Sequence, residues 1–257
     1  MVRRPRLRWT VNTAVGGPTS DQDRESDVAI ASVRDLTSEH IGVQFQPIVD
    51  LATGAVFAHE ALVRCSVEAF SDPSVLFERA VEESAVGRLG RAVREATFAR
   101  LTRGRVFLNI HPEELRNRWL IRPDDPMCLH EGELYLEITE QAAMEYFELC
   151  QSVLSEVCAR TGAHLVVDDF GAGHSNLKRV LELEPSIVKL DRSLVVGIAG
   201  NRRQQILVRQ LVALCEALDA KVVVEGIETA DEVAAVRDSG AHLAQGYYFG
   251  RPSNDPV

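Results

Sequence analysis

The alternation of short apolar segments with longer helical patterns is the feature that most constrains how this chain folds. Between most of the apolar segments lie stretches with helical spacing, such as residues 74–101 and 201–220. Eight strands that alternate with helices predict an α/β fold, a closed (β/α)8 barrel rather than an open sheet. A length of 257 residues is ordinary for such a barrel. The eight segments are VQFQPIV, VFAHEALV, RVFLNI, LYLEIT, HLVVDD, SIVKLD, KVVVEGI and AQGYYFG.

Charge and cysteine usage exclude several classes of protein. The net charge is −10, from 28 basic and 38 acidic side chains, which disfavours unspecific attraction to nucleic acid or anionic lipid. The five cysteines form no C-x-x-C pair, so neither a disulfide framework nor a thiolate zinc site is indicated. No apolar run reaches the length of a signal peptide core or a membrane span. We expect a cytoplasmic protein without nucleic-acid or membrane partners.

The first residues differ in composition from the rest. Residues 1–25 contain four early arginines, then Gly-Gly-Pro-Thr-Ser and a polar run that cannot bury much apolar surface. They predict a flexible N-terminal arm, with the barrel occupying residues 26–257. The arginines leave open a weak contact with nucleic acid or lipid.

Polar residues stand within the strand candidates or at their carboxyl ends, which a barrel gathers in one mouth. A single acid there is more often a helix cap or part of a surface ion pair than a ligand. Five carboxylates together would repel one another unless cations neutralise them, and oxygen ligands suit Mg²⁺ or Mn²⁺. Zinc is disfavoured by the scarcity of His and Cys. The residues are Glu60, Asn109, Glu137, Asp168, Asp169, Lys189, Asp191, Glu225 and Gln245.

The adjacent aspartates Asp168 and Asp169 suggest a pair of ions. Neighbouring residues of a regular strand face opposite sides, so the backbone must turn there if both are to reach metal. Two ions about 3.5–4 Å apart can hold a phosphodiester for attack by water. Lys189 either forms an ion pair with Asp191 or another acid, or stands beside the attacking water. Arg64 either contacts a phosphate or forms a surface ion pair.

The motifs QPIVDLATG, EALVR, LNI, LEITE, DDFGAGHSNL, VKLDRSLV, VVEGIET and QGYYFGRP resemble, in order and approximate spacing, the EAL-domain family of bacterial cyclic di-GMP phosphodiesterases. The resemblance covers about residues 26 to 253. It implies a TIM-like barrel whose first strand is antiparallel to the others. It also implies hydrolysis of cyclic di-GMP to linear pGpG with two Mg²⁺ or Mn²⁺ ions, inhibition by Ca²⁺, and a homodimer.

The resemblance also implies roles for individual residues. Asp168 bridges to a second ion held by Asp169, and Glu225 acts at that ion directly or through water. Lys189 and Gln245 belong at the nucleophilic water, while Gln46 and Arg64 line the substrate side. Three further residues support the ligands without binding the ions: Glu140, Glu228 and Asp191. Of these, Glu140 shapes the loop after the two aspartates. The ligands of the first ion are Glu60, Asn109, Glu137 and Asp168.

The chain departs from the family pattern at Cys65, His174 and Asn176, which leaves every implied ligand in place. Two other functions stay open. One is a catalytically inactive receptor that binds cyclic di-GMP and signals to a partner protein. The other is a metal-dependent barrel enzyme that abstracts a proton from a carboxylated small molecule, with Lys189 as base. Control through the arm, the dimer interface or a separate regulatory protein is expected.

Overall fold

The computed structural model describes residues 32–116, 120, 122–172, 180 and 182–256, so the predicted arm and the departures at His174 and Asn176 lie outside the described residues. Within those ranges the strands form a closed barrel in the order of the sequence, as predicted. The strands are β1 Ile41–Asp50, β2 Val56–Cys65, β3 Val106–Asn109, β4 Leu134–Thr139, β5 His164–Phe170, β6 Ile187–Leu190, β7 Lys221–Val224 and β8 Leu243–Gln245.

The first strand runs against the others. β1 pairs antiparallel with both β2 and β8, whereas each pair from β2 to β8 is parallel. A short turn suffices between β1 and β2 because antiparallel neighbours need no crossover helix. In this turn the side chain of Asp50 accepts hydrogen bonds from the backbone N–H groups of Ala52 and Thr53, at 3.0 and 2.8 Å, and Gly54 takes a positive φ of 73°. The antiparallel first strand is confirmed.

Within the described residues, α-helices lie between successive parallel strands except between β5 and β6, where part of the connection is outside the described residues. The α-helices are α1 Pro73–Glu82, α2 Val86–Phe98, α3 Pro112–Arg116, α4 Glu140–Glu145, α5 Phe147–Leu149, α6 Ser155–Thr161, α7 Arg202–Glu216 and α8 Ala230–Asp238. A π-helical turn, Cys150–Leu154, joins α5 to α6. Short 3-10 turns cover Val33–Asp35, Glu68–Phe70, Pro126–Leu129, Arg192–Leu194 and Ile198–Gly200.

Two segments differ from the sequence expectation. The helical pattern over residues 74–101 is divided between α1 and α2, because Ser84 has a φ of 54° and ends the first helix. Of the apolar segment AQGYYFG, only the first two residues belong to a strand, in β8. At Gly246 the backbone passes so close to that of Ile227 that a side chain would overlap it, and the chain turns out of the barrel there.

A ring of apolar side chains fills the barrel interior. This ring contains one buried residue from each strand, and on β2 to β8 the next inward-facing position lies two residues further on. On β4, for example, Tyr135 belongs to the ring and Glu137 follows it on the same face. The strands therefore place polar side chains directly above this apolar ring. The ring consists of Ile48, Ala58, Phe107, Tyr135, Val166, Ile187, Val223 and Leu243.

Candidate active site

The polar layer of the mouth follows from this register. On seven strands the polar residue comes two positions after the member of the apolar ring, and on β1 it comes two positions before, because that strand runs in the opposite direction. Seven of the eight side chains in this layer were predicted as site residues from their places at strand ends, and Gln46 was assigned by family resemblance. The layer consists of Gln46, Glu60, Asn109, Glu137, Asp168, Lys189, Glu225 and Gln245.

Lys189 stands at the centre of four carboxyl groups. Its Nζ lies 2.7 Å from Oε1 of Glu225 and 2.8 Å from Oε1 of Glu137. Oδ1 of Asp168 is 3.3 Å from the same nitrogen, and Oε2 of Glu60 is 3.5 Å away. All of these side chains are largely buried, the least so being Glu225 at 15% exposure. The ammonium is thus shared among acids that come from four different strands or strand ends.

Three amides surround Glu60. Nδ2 of Asn109 donates to Oε1 of Glu60 at 3.0 Å, and Nε2 of Gln245 donates to Oε2 at 2.6 Å. The same Gln245 nitrogen lies 3.3 Å from Oε1 of Gln46, whose own Nε2 donates to the carbonyl of Gly250 at 3.1 Å. These hydrogen bonds fix the direction in which Glu60 points.

Burial and crowding perturb the acids unequally. Burial, with repulsion from neighbouring carboxylates, raises the pKa of Glu137 and Glu225 well above the usual range and also raises that of Asp168. For Glu60 burial acts in the same direction, but the charge of Lys189 and the amide hydrogen bonds outweigh it and lower the pKa. The pKa of Lys189 is raised well above its usual value, because the four acids outweigh its desolvation. The lysine is therefore held as an ammonium.

The arrangement of oxygens fits divalent cations. Oε2 of Glu137 is buried and receives no hydrogen bond from any residue that the structure describes. Such an oxygen is costly unless a cation compensates it. Two groups of carboxylates, Glu60–Glu137–Asp168 and Asp168–Asp169–Glu225, each bring one oxygen per residue within 4.8 Å of the others. Asp168 belongs to both groups, and all the donors are oxygens, as Mg²⁺ and Mn²⁺ prefer.

The adjacent aspartates face the same site because the backbone turns between them. Asp169 has a φ of 57°, in the left-handed region that Asp tolerates better than most residues. The pairing of β5 with β6 shifts between Val167 and Phe170, and the N–H of Asp169 donates to Oδ1 of Asp168 at 2.8 Å. The turn expected from the sequence is present.

The residues predicted to support the ligands lie around this cluster. Oε2 of Glu140, the first residue of α4, accepts from the N–H of Gly171 at 3.2 Å and so holds the chain just after the aspartates. Among the described residues, the acids paired with Lys189 do not include Asp191, which instead caps the turn Arg192–Leu194 by accepting from the N–H of Ser193 at 2.9 Å.

Glu228 is partly exposed beyond β7. Its Oε1 lies 2.8 Å from a guanidinium nitrogen of Arg192, and both residues line the cavity of the mouth. The side chain of Arg192 packs over Gly226, which has a φ of 72° and where a Cβ would overlap the arginine. This contact joins the loops that follow β6 and β7.

A cavity of about 700 Å³ opens above the acids. Gln46 and Arg64, the predicted substrate-side residues, both line it. Nε of Arg64 donates to Oε1 of Gln44 at 2.8 Å, and another guanidinium nitrogen donates to the carbonyl of Val63. The guanidinium therefore lies beside the acid cluster without forming an ion pair with it in the described part of the chain.

Some residues of the cavity escaped the sequence analysis. The guanidinium carbon of Arg251 lies 4.1 Å from the centroid of the Tyr247 ring, and both residues line the cavity. They belong to the motif QGYYFGRP, whose polar and aromatic residues could have indicated a binding surface. Phe77 and Arg94 reach the cavity from α1 and α2. Because their placement depends on how the helices pack, no strand-end pattern indicated them.

Three comparisons place the chain among known proteins. A family model described as EAL domain matches residues 31–252. Cyclic di-GMP phosphodiesterase NbdA of Pseudomonas aeruginosa is 30% identical over 232 residues, which cover 84% of this chain and 29% of the relative. Cyclic di-GMP phosphodiesterase PdeR of Escherichia coli is 30% identical over 230 residues, which cover 84% of this chain and 34% of the relative.

A solved structure is similar in fold. The manganese and cyclic di-GMP complex of Klebsiella pneumoniae BlrP1 at pH 6 matches with a TM-score of 0.71 and 28% identity, over 86% of this chain and 58% of that one. Among the curated relatives, by contrast, the matched part of this chain spans about a third of the relative's length.

Within the ranges that the structure describes, no helix has the length and apolarity needed to cross a membrane.

Proposed function

This chain belongs to the EAL domain family, and we propose that it hydrolyses cyclic di-GMP to linear pGpG. The observation that carries the proposal is the set of four largely buried acids around Lys189, with Asp168 shared between two groups of carboxylate oxygens, the second of which includes Asp169. A phosphodiester is itself an anion, so such a cluster would repel it without cations. Relatives at 30% identity that are named cyclic di-GMP phosphodiesterases support the choice of substrate.

The ligands divide between two Mg²⁺ or Mn²⁺ ions. Glu60, Asn109, Glu137 and Asp168 would hold one ion, and Asp168 and Asp169 would hold the other, with Glu225 reaching it directly or through water. When bound, these ions supply Lewis acidity and lower the pKa of water. The buried Oε2 of Glu137, which receives no hydrogen bond from the residues that the structure describes, supports this assignment. Ca²⁺ is expected to bind and to inhibit.

The protein's own side chains orient the reactants. Water adds to phosphorus, the bond from phosphorus to the 3′ oxygen breaks, and that oxygen leaves as a hydroxyl, so that pGpG keeps a 5′-phosphate. Lys189 donates hydrogen bonds that orient the water and stabilise charge. We assign to Glu225, 2.7 Å from Lys189, the role of accepting a proton from the water, which then passes to the leaving 3′ oxygen. Gln245 orients Glu60 and the water nearby.

The substrate lies along the cavity. Arg64 presents a planar fork suited to a phosphate oxygen, and Gln46 lines the neighbouring wall. Glu140, Asp191 and Glu228 support this arrangement through contacts just after β5, β6 and β7, at Gly171, Ser193 and Arg192 respectively.

Several wider properties belong to the same proposal. We propose a homodimer from the family resemblance alone, and a light-scattering mass equal to one chain would contradict it. Free cysteines, found at all five positions, support a reducing compartment such as the cytoplasm as the place of action. A separate protein that regulates the activity is also proposed.

Product analysis by chromatography tests the function. The chain is incubated with cyclic di-GMP and Mg²⁺, Mn²⁺ or Ca²⁺, with an Asp168→Ala variant as control. We expect pGpG with Mg²⁺ and Mn²⁺, little with Ca²⁺, and none from the variant. The competing function, an inactive receptor, predicts tight binding of cyclic di-GMP by calorimetry in EDTA and no product with any ion.

A further inference from the structure

A buried ionic network stands behind one wall of the cavity. Nε and one terminal nitrogen of Arg94 donate to both oxygens of Asp125, at 2.8 to 3.1 Å, and the other terminal nitrogen donates to Oε2 of Glu114 at 2.7 Å. All three side chains are at most 2% exposed. We call these three residues the Arg94 network. It lies outside the acid cluster around Lys189, and no step of the proposed reaction uses it.

The network is built into the wall itself. Arg94 and Gly90, one turn earlier on α2, both line the cavity. The carboxylate of Glu114 occupies the space that a side chain on Gly90 would fill, so helix and carboxylate are in close contact. Burial opposes the charge of Arg94, but Glu114 and Asp125 outweigh it and raise the pKa of the guanidinium. We call the cavity surface formed by Phe77, Gly90, Arg94 and His111 the α2 wall.

The same network holds the segment after β3. Oε1 of Glu114 lies 3.4 Å from the backbone nitrogen of His111, and the N–H of Glu114 donates to the carbonyl of His111 at 2.9 Å. The ring of His111 is stacked on that of Phe77, with the ring centroids 5.6 Å apart and an angle of 4° between the ring planes. Arg94 therefore ties together α2, α3 and the turn Pro126–Leu129, and through them both aromatic rings of the α2 wall.

A cyclic dinucleotide extends beyond the acid cluster. Only one phosphodiester can sit at the acids, so the remainder of the molecule must lie against other surfaces of the 700 Å³ cavity. The α2 wall offers the half-buried ring of Phe77, backed by the buried ring of His111, and no side chain at Gly90, which suits a flat group. A wall that is held by buried ion pairs keeps its shape before the substrate arrives.

We propose that Arg94 is a positioning residue: held by Glu114 and Asp125, it fixes the α2 wall so that the part of the substrate remote from the scissile bond binds there. This inference rests on the proposed function for the identity of the substrate. It concerns binding rather than bond cleavage, so loss of the network affects KM for the cyclic dinucleotide and leaves kcat nearly unchanged.

The test compares three variants with the parent on two substrates. Glu114→Gln removes one charge of the network while keeping the shape of the side chain, and Asp125→Asn does the same at the other end. Asp124→Asn is the matched control, because Asp124 is exposed and pairs with Arg91 at 2.8 Å outside the network. The substrates are cyclic di-GMP and bis(p-nitrophenyl) phosphate, a diester too small to fill the cavity, both with Mn²⁺.

We expect Glu114→Gln and Asp125→Asn to raise KM for cyclic di-GMP by ~10-fold or more with kcat within ~3-fold, and to leave hydrolysis of the small diester unchanged. Asp124→Asn should match the parent with both substrates. Circular dichroism confirms folding; where a variant does not fold, Arg94→Lys replaces it, since it keeps the charge but loses the fork, and the same selective rise in KM is expected. Unchanged KM, or equal losses on both substrates, would overturn the proposal.

Failure of the proposed function gives a different result. If the parent chain binds cyclic di-GMP without producing pGpG, the catalytic proposal fails and the inference is judged on affinity, measured by calorimetry. The Kd should then rise ~10-fold in Glu114→Gln and stay constant in Asp124→Asn. Equal affinity of the parent and Glu114→Gln, or no binding by the parent, would overturn the inference.

Discussion

Nζ of Lys189 lies 2.8 Å from Oε1 of Glu137, and both side chains are completely buried above the apolar ring of the barrel. One ammonium thus partly compensates a cluster of acids that comes from four other strands or strand ends. The chain carries this arrangement at a cost to stability, because each buried charge loses its hydration. Under the proposed function, that cost is the condition for binding cations and an anionic substrate.

Replacing the lysine tests its compensating role. Lys189→Met should lower the free energy of unfolding in EDTA by about 3 kcal/mol, because it leaves four buried acids without their cation. It should also slow pGpG formation by ~100-fold or more, since the water loses its hydrogen-bond donor. Urea unfolding and initial rates measure the two effects. Lys221→Met, at an exposed position on β7, is the control, and equal behaviour of both variants would contradict this role.

The raised pKa of Glu137 predicts a pH dependence of stability without metal. An acid whose pKa is higher in the folded chain than in the unfolded chain destabilises the fold as the pH rises. The loss begins near the acid's pKa in the unfolded chain, about 4.5, and grows until the pH passes its pKa in the folded chain. Glu137→Gln should therefore gain stability relative to the parent, and gain more at about pH 8 than at about pH 5. Urea unfolding in EDTA at both pH values measures this difference. A difference that shrinks with rising pH would be the opposite of the expected sign.

The two aspartates should differ in how many ions they control. Asp168 belongs to both groups of oxygens and Asp169 to one. Asp169→Asn should preserve the backbone, because Asn also tolerates the left-handed conformation. Because Asp169 belongs to one group of oxygens only, this variant should lose one ion and retain the other. Asp168→Asn should weaken both. Calorimetric titration with Mn²⁺ gives the stoichiometry, and an equal loss of ions from both variants would be inconsistent with a shared aspartate.

Cations should stabilise the folded chain. At a concentration of Mn²⁺ that is 100 times its Kd, a single site adds about 2.7 kcal/mol to the free energy of unfolding. The melting temperature should therefore rise with added Mn²⁺ in the parent and in Glu133→Gln, a change at a residue that directly precedes β4 at the end remote from the acids. It should rise much less in Asp168→Asn. A rise of the same size in all three chains would point to unspecific binding.

The sequence predicted most of the barrel for a simple physical reason. Side chains repeat every two residues on a strand, so an apolar ring residue such as Val166 and a site residue such as Asp168 occur at a fixed spacing that can be read directly. The family resemblance added the reversal of β1, which alternation alone did not indicate. The interruption at Ser84 between α1 and α2 was missed because neither helix ends in a strong breaker such as proline.

The candidate site was predicted where strands supply it and missed where helices do. Glu60, Glu137 and Asp168 stand at readable strand positions, and the structure brings them together around Lys189. Arg94 gave no such signal, because its partner Asp125 lies 31 residues away and their contact depends on packing between α2 and a 3-10 turn. Local patterns do not encode contacts of that kind.

Anomalous diffraction from a crystal grown with Mn²⁺ is the measurement that tests the central claim most directly. The account predicts two manganese peaks about 3.5–4 Å apart, one among Glu60, Glu137 and Asp168 and one among Asp168, Asp169 and Glu225. It also predicts that Lys189 remains beside them rather than turning to solvent. Absence of anomalous density at these acids, with Lys189 still paired to all four of its carboxylates, would contradict the account.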